Sequence, residues 1–173
     1  MKRENVNILV IDQATINTSY VILNIRDGKP YWVECSKILL TNPDYGDRIL
    51  ELYNKISALI IQHNIEVLVL EQVPPIIKNF HTTSVLLKLF GILELLAKQH
   101  GIELVMLHVI HWKTIAGITA KGRALQKTES IKIAMKRWQA YKQIIQESDD
   151  VADALNMSYA FLVDEGYITN NNK

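Results

Sequence analysis

Residues 7–12 read NILVID, an uninterrupted apolar run with an acidic residue, Asp12, directly behind it. An apolar run without polar alternation predicts a strand that is buried on both faces of a sheet. The same arrangement returns at residues 67–71, VLVLE, where Glu71 follows four apolar residues. Two such strands, each ending on a carboxylate, predict a domain that carries acidic residues in or beside its core.

The segments around these two runs predict the remaining elements. Apolar runs at residues 19–25 and 31–40 flank Asp27-Gly28, which is typical of a hairpin turn, so the first three strands are expected to be antiparallel. A fifth strand is predicted at residues 102–107, and Pro74-Pro75 is expected to stop the strand at 67–70. Helical spacing of apolar residues predicts helices at 47–63, 82–99, 124–138 and 148–162, with a loop between 107 and 124.

These elements predict an α/β fold with a five-stranded mixed sheet, three antiparallel N-terminal strands and flanking helices. The length of 173 residues and the absence of linker or repeat sequences favour one domain over residues 1–173, with a frayed tail at 168–173.

The helix predicted at 82–99 is apolar over more of its surface than one core-facing stripe requires. It is therefore expected to be buried on two sides and to pair two copies of the chain. Burial by neighbouring helices of the same chain is the alternative. The predicted contact stripe is Leu86, Leu89, Phe90 and Leu93.

Composition excludes several classes of protein. Hydrophobic residues make up 49% of the chain and charged residues 21%, which excludes a disordered protein, a collagen or a coiled-coil rod. The single cysteine, Cys35, has no internal partner and is expected to be a buried thiol. No apolar run reaches the length of a membrane span, and residues 1–5 do not begin a signal peptide. A soluble protein of the cytoplasm is expected.

The net charge of +1 hides an uneven distribution. Residues 111–142 hold eight Lys and Arg side chains against Glu129 alone, so this stretch carries +7 and the rest of the chain −6. A basic stretch beside an acidic remainder suits a protein that meets phosphate on one face and holds metal or protons elsewhere. A solvated amphipathic helix is the simpler alternative.

Asp149, Asp150 and Asp153 form a third acidic group, at the start of the last predicted helix. Asp150 and Asp153 are three residues apart and share a helix face, as Asp149 and Asp153 also do at a spacing of four. Oxygen ligands of this kind suit Mg²⁺ or Mn²⁺. Each acidic group taken singly also fits a turn or a helix cap, so a structural role stays open.

With these motifs the sequence resembles the RuvC-type Holliday-junction resolvases, a family of the ribonuclease H-like fold. The resemblance extends over nearly the whole chain, and the most specific motif closes it. The similar segments are residues 8–12 with 20–22, residues 70–73 with 78–79, the basic segment 112–127, and DVADAL at 150–155.

The resemblance implies Asp12, Glu71, Asp150 and Asp153 as ligands of about two Mg²⁺ ions, with Mn²⁺ as the alternative, and Asp149 as the adjacent cap. It implies cleavage of four-way DNA junctions by a homodimer, with Lys127 adding positive charge at the reacting phosphate. Residues expected to hold flanking phosphates are Lys113, Lys121, Arg123, Lys132 and Lys136.

The chain departs from the family pattern at several positions. Gln13-Ala14 stands where the family usually has Pro-Gly, and Ser19 replaces a glycine. Pro74-Pro75 occupies the place of an aromatic residue that contacts bases at the crossover, for which Phe80 is the candidate substitute. Such divergence is typical of a phage-encoded relative.

Three other functions remain open at this stage. The same acids would serve a ribonuclease H-like nuclease that acts on other branched DNA or on RNA/DNA hybrids, and a junction-binding protein without catalysis would keep the basic segment alone. An ATP-binding domain of the actin type is disfavoured because it needs glycine-rich phosphate loops and a longer chain. The five histidines show no ligand spacing.

Overall fold

The computed structural model describes residues 3–73 and 80–170, with the side chains of residues 80–82 outside that description. Within these ranges the chain forms a five-stranded mixed sheet with helices on both faces. The strands are β1 (Val6–Asp12), β2 (Asn17–Arg26), β3 (Lys29–Leu39), β4 (Val67–Glu71) and β5 (Glu103–Leu107). The helices are α1 (Tyr45–Gln62), α2 (Phe80–His100), α3 (Val109–Ala116), α4 (Arg123–Arg137), α5 (Lys142–Glu147) and α6 (Asp149–Asp164), with a 3₁₀ turn at Gln139–Tyr141. The predicted fold class is confirmed.

The strand order β3-β2-β1-β4-β5 places β1 at the centre of the sheet. β1 runs antiparallel to β2 and parallel to β4, and β4 runs parallel to β5. In the parallel pair, Ile11 lies beside Leu70, so Asp12 and Glu71 follow one residue later at the same edge of the sheet. The predicted hairpin between β2 and β3 is also confirmed, because Asp27 and Gly28 both adopt the positive φ angles that its tight turn requires.

Alternation along the strands divides the core into two clusters. Val10 and Val69 face α3, α4, α5 and α6, whereas Leu9 and Leu68 face α1 and α2. Asp12 is two residues beyond Val10, and Glu71 is two residues beyond Val69, so both acids belong to the face that α6 covers.

The loop predicted between residues 107 and 124 is wrong over its first half, where the structure has α3. Trp112, Ile115 and Ala116 are buried at helical spacing, and Gly117 ends the helix in the left-handed conformation, with φ of 91°. An eight-residue helix is unstable alone, and α3 is held by its packing against α6. The isolated segment therefore carries too weak a pattern to be recognised.

The predicted contact stripe on α2 also needs correction. Leu89 and Leu93 are fully buried in the chain's own core, beneath α1. On the opposite side of the helix, Leu87 and Leu95 are large apolar residues that are exposed, at 52% and 54%. Leu89 and Leu93 are therefore unavailable to a second copy of the chain, whereas Leu86 and Phe90 are only partly buried.

Smaller predictions have mixed outcomes. Cys35 is buried and free, as expected. Within the described residues, no helix is long and apolar enough to cross a membrane. The predictions for Pro74-Pro75 and for Phe80 at the crossover lie outside the described residues, as do residues 171–173 of the expected tail. Ile168 packs against the core, and the single domain over 1–173 stays a prediction.

Candidate active site

A cavity of about 430 Å³ opens where β1, β4 and the start of α6 meet. All four acids that the sequence analysis selected as metal ligands border it, and we call it the acidic cavity. Its lining residues are Asp12, Gln13, Ala14, Glu71, Leu86, Lys113, Arg123, Gln126, Lys127, Asp150 and Asp153.

Asp12 lies at the centre of the acidic group. Burial raises its pKa well above the usual value, and the charges of Asp153, Glu71, Asp150 and Asp149 raise it further. Its cross-strand neighbour Ser19 has a buried hydroxyl that finds no hydrogen-bond partner within the described part of the chain. The charged groups that act on Asp12 are thus all acidic.

Glu71 is held from two directions. The indole N–H of Trp112 donates to its carboxylate over 2.9 Å, and the Gln13 side chain bonds both the backbone carbonyl of Glu71, over 2.7 Å, and its backbone N–H, over 3.3 Å. Burial still raises the pKa of Glu71, although the Trp112 hydrogen bond and the charge of Lys113 oppose that rise. Gln13, which departs from the family pattern, thus ties the ends of β1 and β4 together.

The first turn of α6 supplies the other two acids of the cavity. Burial raises the pKa values of both Asp150 and Asp153, and a hydrogen bond from Ser130 opposes the rise at Asp153. Asp149 has a different partner, because its carboxylate forms an ion pair with Lys127. Asp150 and Asp153 line the cavity, whereas the Asp149 carboxylate pairs with the ammonium group of Lys127 beside it.

The predicted phosphate-holding residues separate into two groups. Lys113 and Arg123 line the acidic cavity together with Lys127. Lys121 and Lys132 are exposed and are not among its lining residues. Lys136 borders a different cavity of about 920 Å³, behind α4, beside Arg137, Trp138 and Tyr159.

The donor set fits hard divalent cations, because four carboxylates share one cavity and each has its pKa raised. The acids surround the space without converging on one point. Within residues 3–73 and 80–170, no three His, Cys, Asp or Glu side chains stand close enough together to form a ready metal site. Bound cations would occupy the space between the carboxylates.

Several residues that shape the cavity were missed in the sequence analysis. Trp112 and Gln13 hold Glu71, and Ser130 holds Asp153. Asn156, which bonds Ser130, left one readable signal: it is a polar amide between Leu155 and Met157, within the largely apolar second half of the last predicted helix. The partners of these side chains are distant in sequence, so their contacts depend on the fold.

Comparison with known proteins gives a consistent result. The chain is 28% identical over 156 residues to the crossover junction endodeoxyribonuclease RuvC of Dictyoglomus thermophilum, covering 90% of this chain and 95% of that protein. The resemblance to RuvC-type resolvases is confirmed. No protein-family model matches the chain.

RuvC-type and related structures also share the fold. RuvC of Thermus thermophilus, solved with a Holliday-junction substrate, superposes with a TM-score of 0.69 at 12% identity, covering 93% of this chain and 97% of that one. The Holliday-junction resolvase of fowlpox virus superposes with a TM-score of 0.66 at 14% identity, covering 91% and 99%.

Proposed function

We propose that this protein is an endodeoxyribonuclease that resolves four-way DNA junctions by metal-dependent hydrolysis of phosphodiester bonds. One observation carries the proposal: the four candidate ligands border a single cavity. The similarity of nearly the whole chain to a crossover junction endodeoxyribonuclease supports it. A site built only for DNA binding has no need for four carboxylates with raised pKa values, because carboxylates repel phosphate.

Asp12, Glu71, Asp150 and Asp153 hold the cations, with about two Mg²⁺ ions in each site and Mn²⁺ as the alternative. When bound, such a pair would lower the pKa of the attacking water and stabilise the leaving oxygen. Gln13 holds the backbone of Glu71 and Trp112 holds its carboxylate at the end of β4. The Glu71 side chain is therefore already ordered before a metal ion binds.

Lys113, Arg123 and Lys127 hold the phosphate that is cut and its neighbours. Lys127 is kept protonated, since the hydrogen bond and charge of Asp149 raise its pKa. This lysine can therefore offset the negative charge that develops at the phosphorus. Lys121, Lys132 and Lys136 lie outside the acidic cavity and contact phosphates farther from the cut.

The working unit is a homodimer. Two copies place two identical acidic cavities against two strands of like polarity, and paired cuts then yield two linear duplexes. Leu87 lies one helical turn before Gly91 and Leu95 one turn after it. These two exposed leucines form the apolar surface of α2 that supports this assembly. The cytoplasmic location and the phage origin stay predictions.

Cleavage assays with purified protein test the proposal. The substrates are a synthetic four-way junction, a linear duplex of the same sequence and an RNA/DNA hybrid, each with and without Mg²⁺. We expect paired cuts in the junction alone, only with Mg²⁺, and loss of cutting with retained junction binding in Asp12→Asn and Glu71→Gln. Asp164→Asn is the matched control, because this acid of α6 pairs with His111 away from the cavity.

Each alternative function gives a different result in the same assay. Cutting of the hybrid in preference to the junction would assign a ribonuclease H-like substrate. Junction binding without cutting in either metal would leave a binding protein. Activity within about tenfold of the wild type in Asp12→Asn or Glu71→Gln would exclude the assigned metal ligands.

A further inference from the structure

Two fully buried polar side chains meet where α4 packs against α6. Ser130 on α4 is 1% exposed, and Asn156 on α6 is 0% exposed. The Asn156 amide donates to the Ser130 hydroxyl over 2.9 Å and to the Ser130 carbonyl over 3.1 Å. Polar groups are costly in a protein interior unless they are hydrogen-bonded, so both side chains depend on this arrangement.

Arg137 determines which way the Asn156 amide points. Its guanidinium donates to the Asn156 side-chain oxygen over 3.1 Å and to the Ala116 carbonyl over 2.7 Å. A guanidinium has only donors and stays protonated, so the atom of Asn156 that faces it must be the oxygen. The amide nitrogen is thereby directed at Ser130.

The same logic determines the direction of the Ser130 hydroxyl group. Its oxygen accepts from Asn156, which leaves its hydrogen to be donated elsewhere. The neighbour in reach is Asp153, whose carboxylate oxygen accepts that hydrogen. Arg137 therefore donates to Asn156, Asn156 donates to Ser130, and Ser130 donates to the Asp153 carboxylate.

We infer that Arg137, Asn156 and Ser130 form a positioning relay that fixes the Asp153 carboxylate for a divalent cation. The inference rests on the proposed function in taking Asp153 as a ligand. Three donors in series, beginning at a cation, hold the carboxylate as an acceptor and restrict its rotation while it lines the acidic cavity. Ligating carboxylates supported in this way bind metal more tightly.

Packing between α4 and α6 does not by itself require these residues. Replacing both partners of a buried hydrogen bond by apolar groups of the same shape is close to neutral for stability. An apolar pair of the same shape at these positions would therefore still fill the space between the two helices. What it would not provide is a hydrogen bond donor to Asp153.

Binding of Mn²⁺ to the purified protein without DNA, measured by titration calorimetry, tests the relay. Ser130→Ala removes the last donor, and we expect it to weaken Mn²⁺ affinity by about 10- to 100-fold, the usual effect of losing such a support. Ser130→Thr keeps the hydroxyl and should stay within about threefold of the wild type.

Ser158→Ala is the matched control. Ser158 is as buried as Ser130 and lies on α6, but its hydroxyl accepts from Trp32 and donates to the Leu155 carbonyl. We expect this variant to lose thermal stability and to keep its Mn²⁺ affinity. A general loss of packing would instead lower the affinity of both alanine variants.

Asn156→Asp gives a second test that leaves no cavity. The new carboxylate accepts from Arg137 and also attracts the Ser130 hydrogen away from Asp153. The relay predicts that this variant binds Mn²⁺ at least about tenfold more weakly than the wild type. If the new negative charge only attracted the cation electrostatically, Mn²⁺ would bind more tightly. If Ser130→Ala does not fold, the Mn²⁺ affinity of Asn156→Asp still tests the relay.

The outcomes separate the relay from the proposed function. Wild-type protein that binds no Mn²⁺ would overturn the metal-dependent function and the relay with it. Wild-type protein that binds Mn²⁺, together with unchanged affinity in folded Ser130→Ala or tighter affinity in Asn156→Asp, would overturn the relay alone.

Discussion

Helices α2 and α6 show that apolar content does not determine which helix lies at the centre of a domain. α2 is rich in leucine, yet Leu87 and Leu95 are exposed. α6 begins with three acidic residues in five positions, yet eleven of its sixteen residues are buried. Among the described residues, the helix that borders the acidic cavity is thus the one with the most buried positions.

The difference comes from what surrounds each helix. α6 packs on β1 and β2 and is covered in turn by α3, α4 and α5, whereas the principal neighbours of α2 are α1 and β5. Alanines at positions 152, 154 and 160 of α6 allow these neighbours to approach closely. A helix enclosed in this way restricts the motion of its side chains, whereas α2 keeps an apolar side that its own chain does not cover.

The largest expected effect separates the acids of the two helices. Asp153→Asn on α6 should lower the rate of junction cleavage by roughly a thousandfold or more, about 4 kcal/mol of transition-state stabilisation, because a cation ligand loses its charge. Glu94→Gln on α2 lies outside the acidic cavity, so at protein concentrations that keep the dimer intact it should leave the rate unchanged. Single-turnover kinetics at saturating Mg²⁺ measure both, and equal rates in the two variants would contradict the assignment.

The next effect compares leucine truncations. Leu155 on α6 is fully buried, so Leu155→Ala should lower the free energy of unfolding by about 2–5 kcal/mol. Leu95→Ala on α2 should change it by no more than about 0.5 kcal/mol, as expected for a surface position. Urea denaturation at low protein concentration, where dimers dissociate, gives both values. Similar losses would mean that α2 is enclosed as well.

A third experiment asks whether the exposed side of α2 is the dimer contact. Leu87→Glu with Leu95→Glu should convert a dimer into a folded monomer near the chain mass of 19.8 kDa, because charged side chains would be buried against each other. Sedimentation equilibrium at micromolar concentration gives the mass. A dimer that survives the double substitution would place the contact elsewhere, and a wild-type monomer would remove the dimer from the proposal.

The smallest effect concerns Asp12, which faces the start of α6. Its pKa is raised by burial and by neighbouring acids, so the free energy of unfolding of the metal-free protein falls as pH rises through that pKa. Asp12→Asn should therefore raise Tm at neutral pH by roughly 2–4 °C, the shift that about 1 kcal/mol produces in a chain of this size. Thermal unfolding with a chelator measures it, and the gain should vanish in acid. A lower Tm at neutral pH would mean that Asp12 has a stabilising partner.

Much of the fold was predictable because its signals are local. The apolar runs of β1 and β4, the Asp27-Gly28 turn and the helical spacing of α1 and α4 each lie within a few residues. The structure places all five strands and both predicted acid-bearing strand ends as expected. At the start of α1, Asp44 caps the helix by accepting a hydrogen bond from the Asp47 N–H over 2.9 Å.

The sequence by itself determined which residues form strands and where the acids follow them, because periodicity and turn chemistry act over short distances. The tertiary structure decided what no local pattern carries. It made α3 a helix by packing it on α6, turned Leu89 and Leu93 inward, and assigned Lys127 to Asp149. Ser130 lies 23 residues before Asp153 in the chain, and the two meet only because α4 crosses α6 at that point.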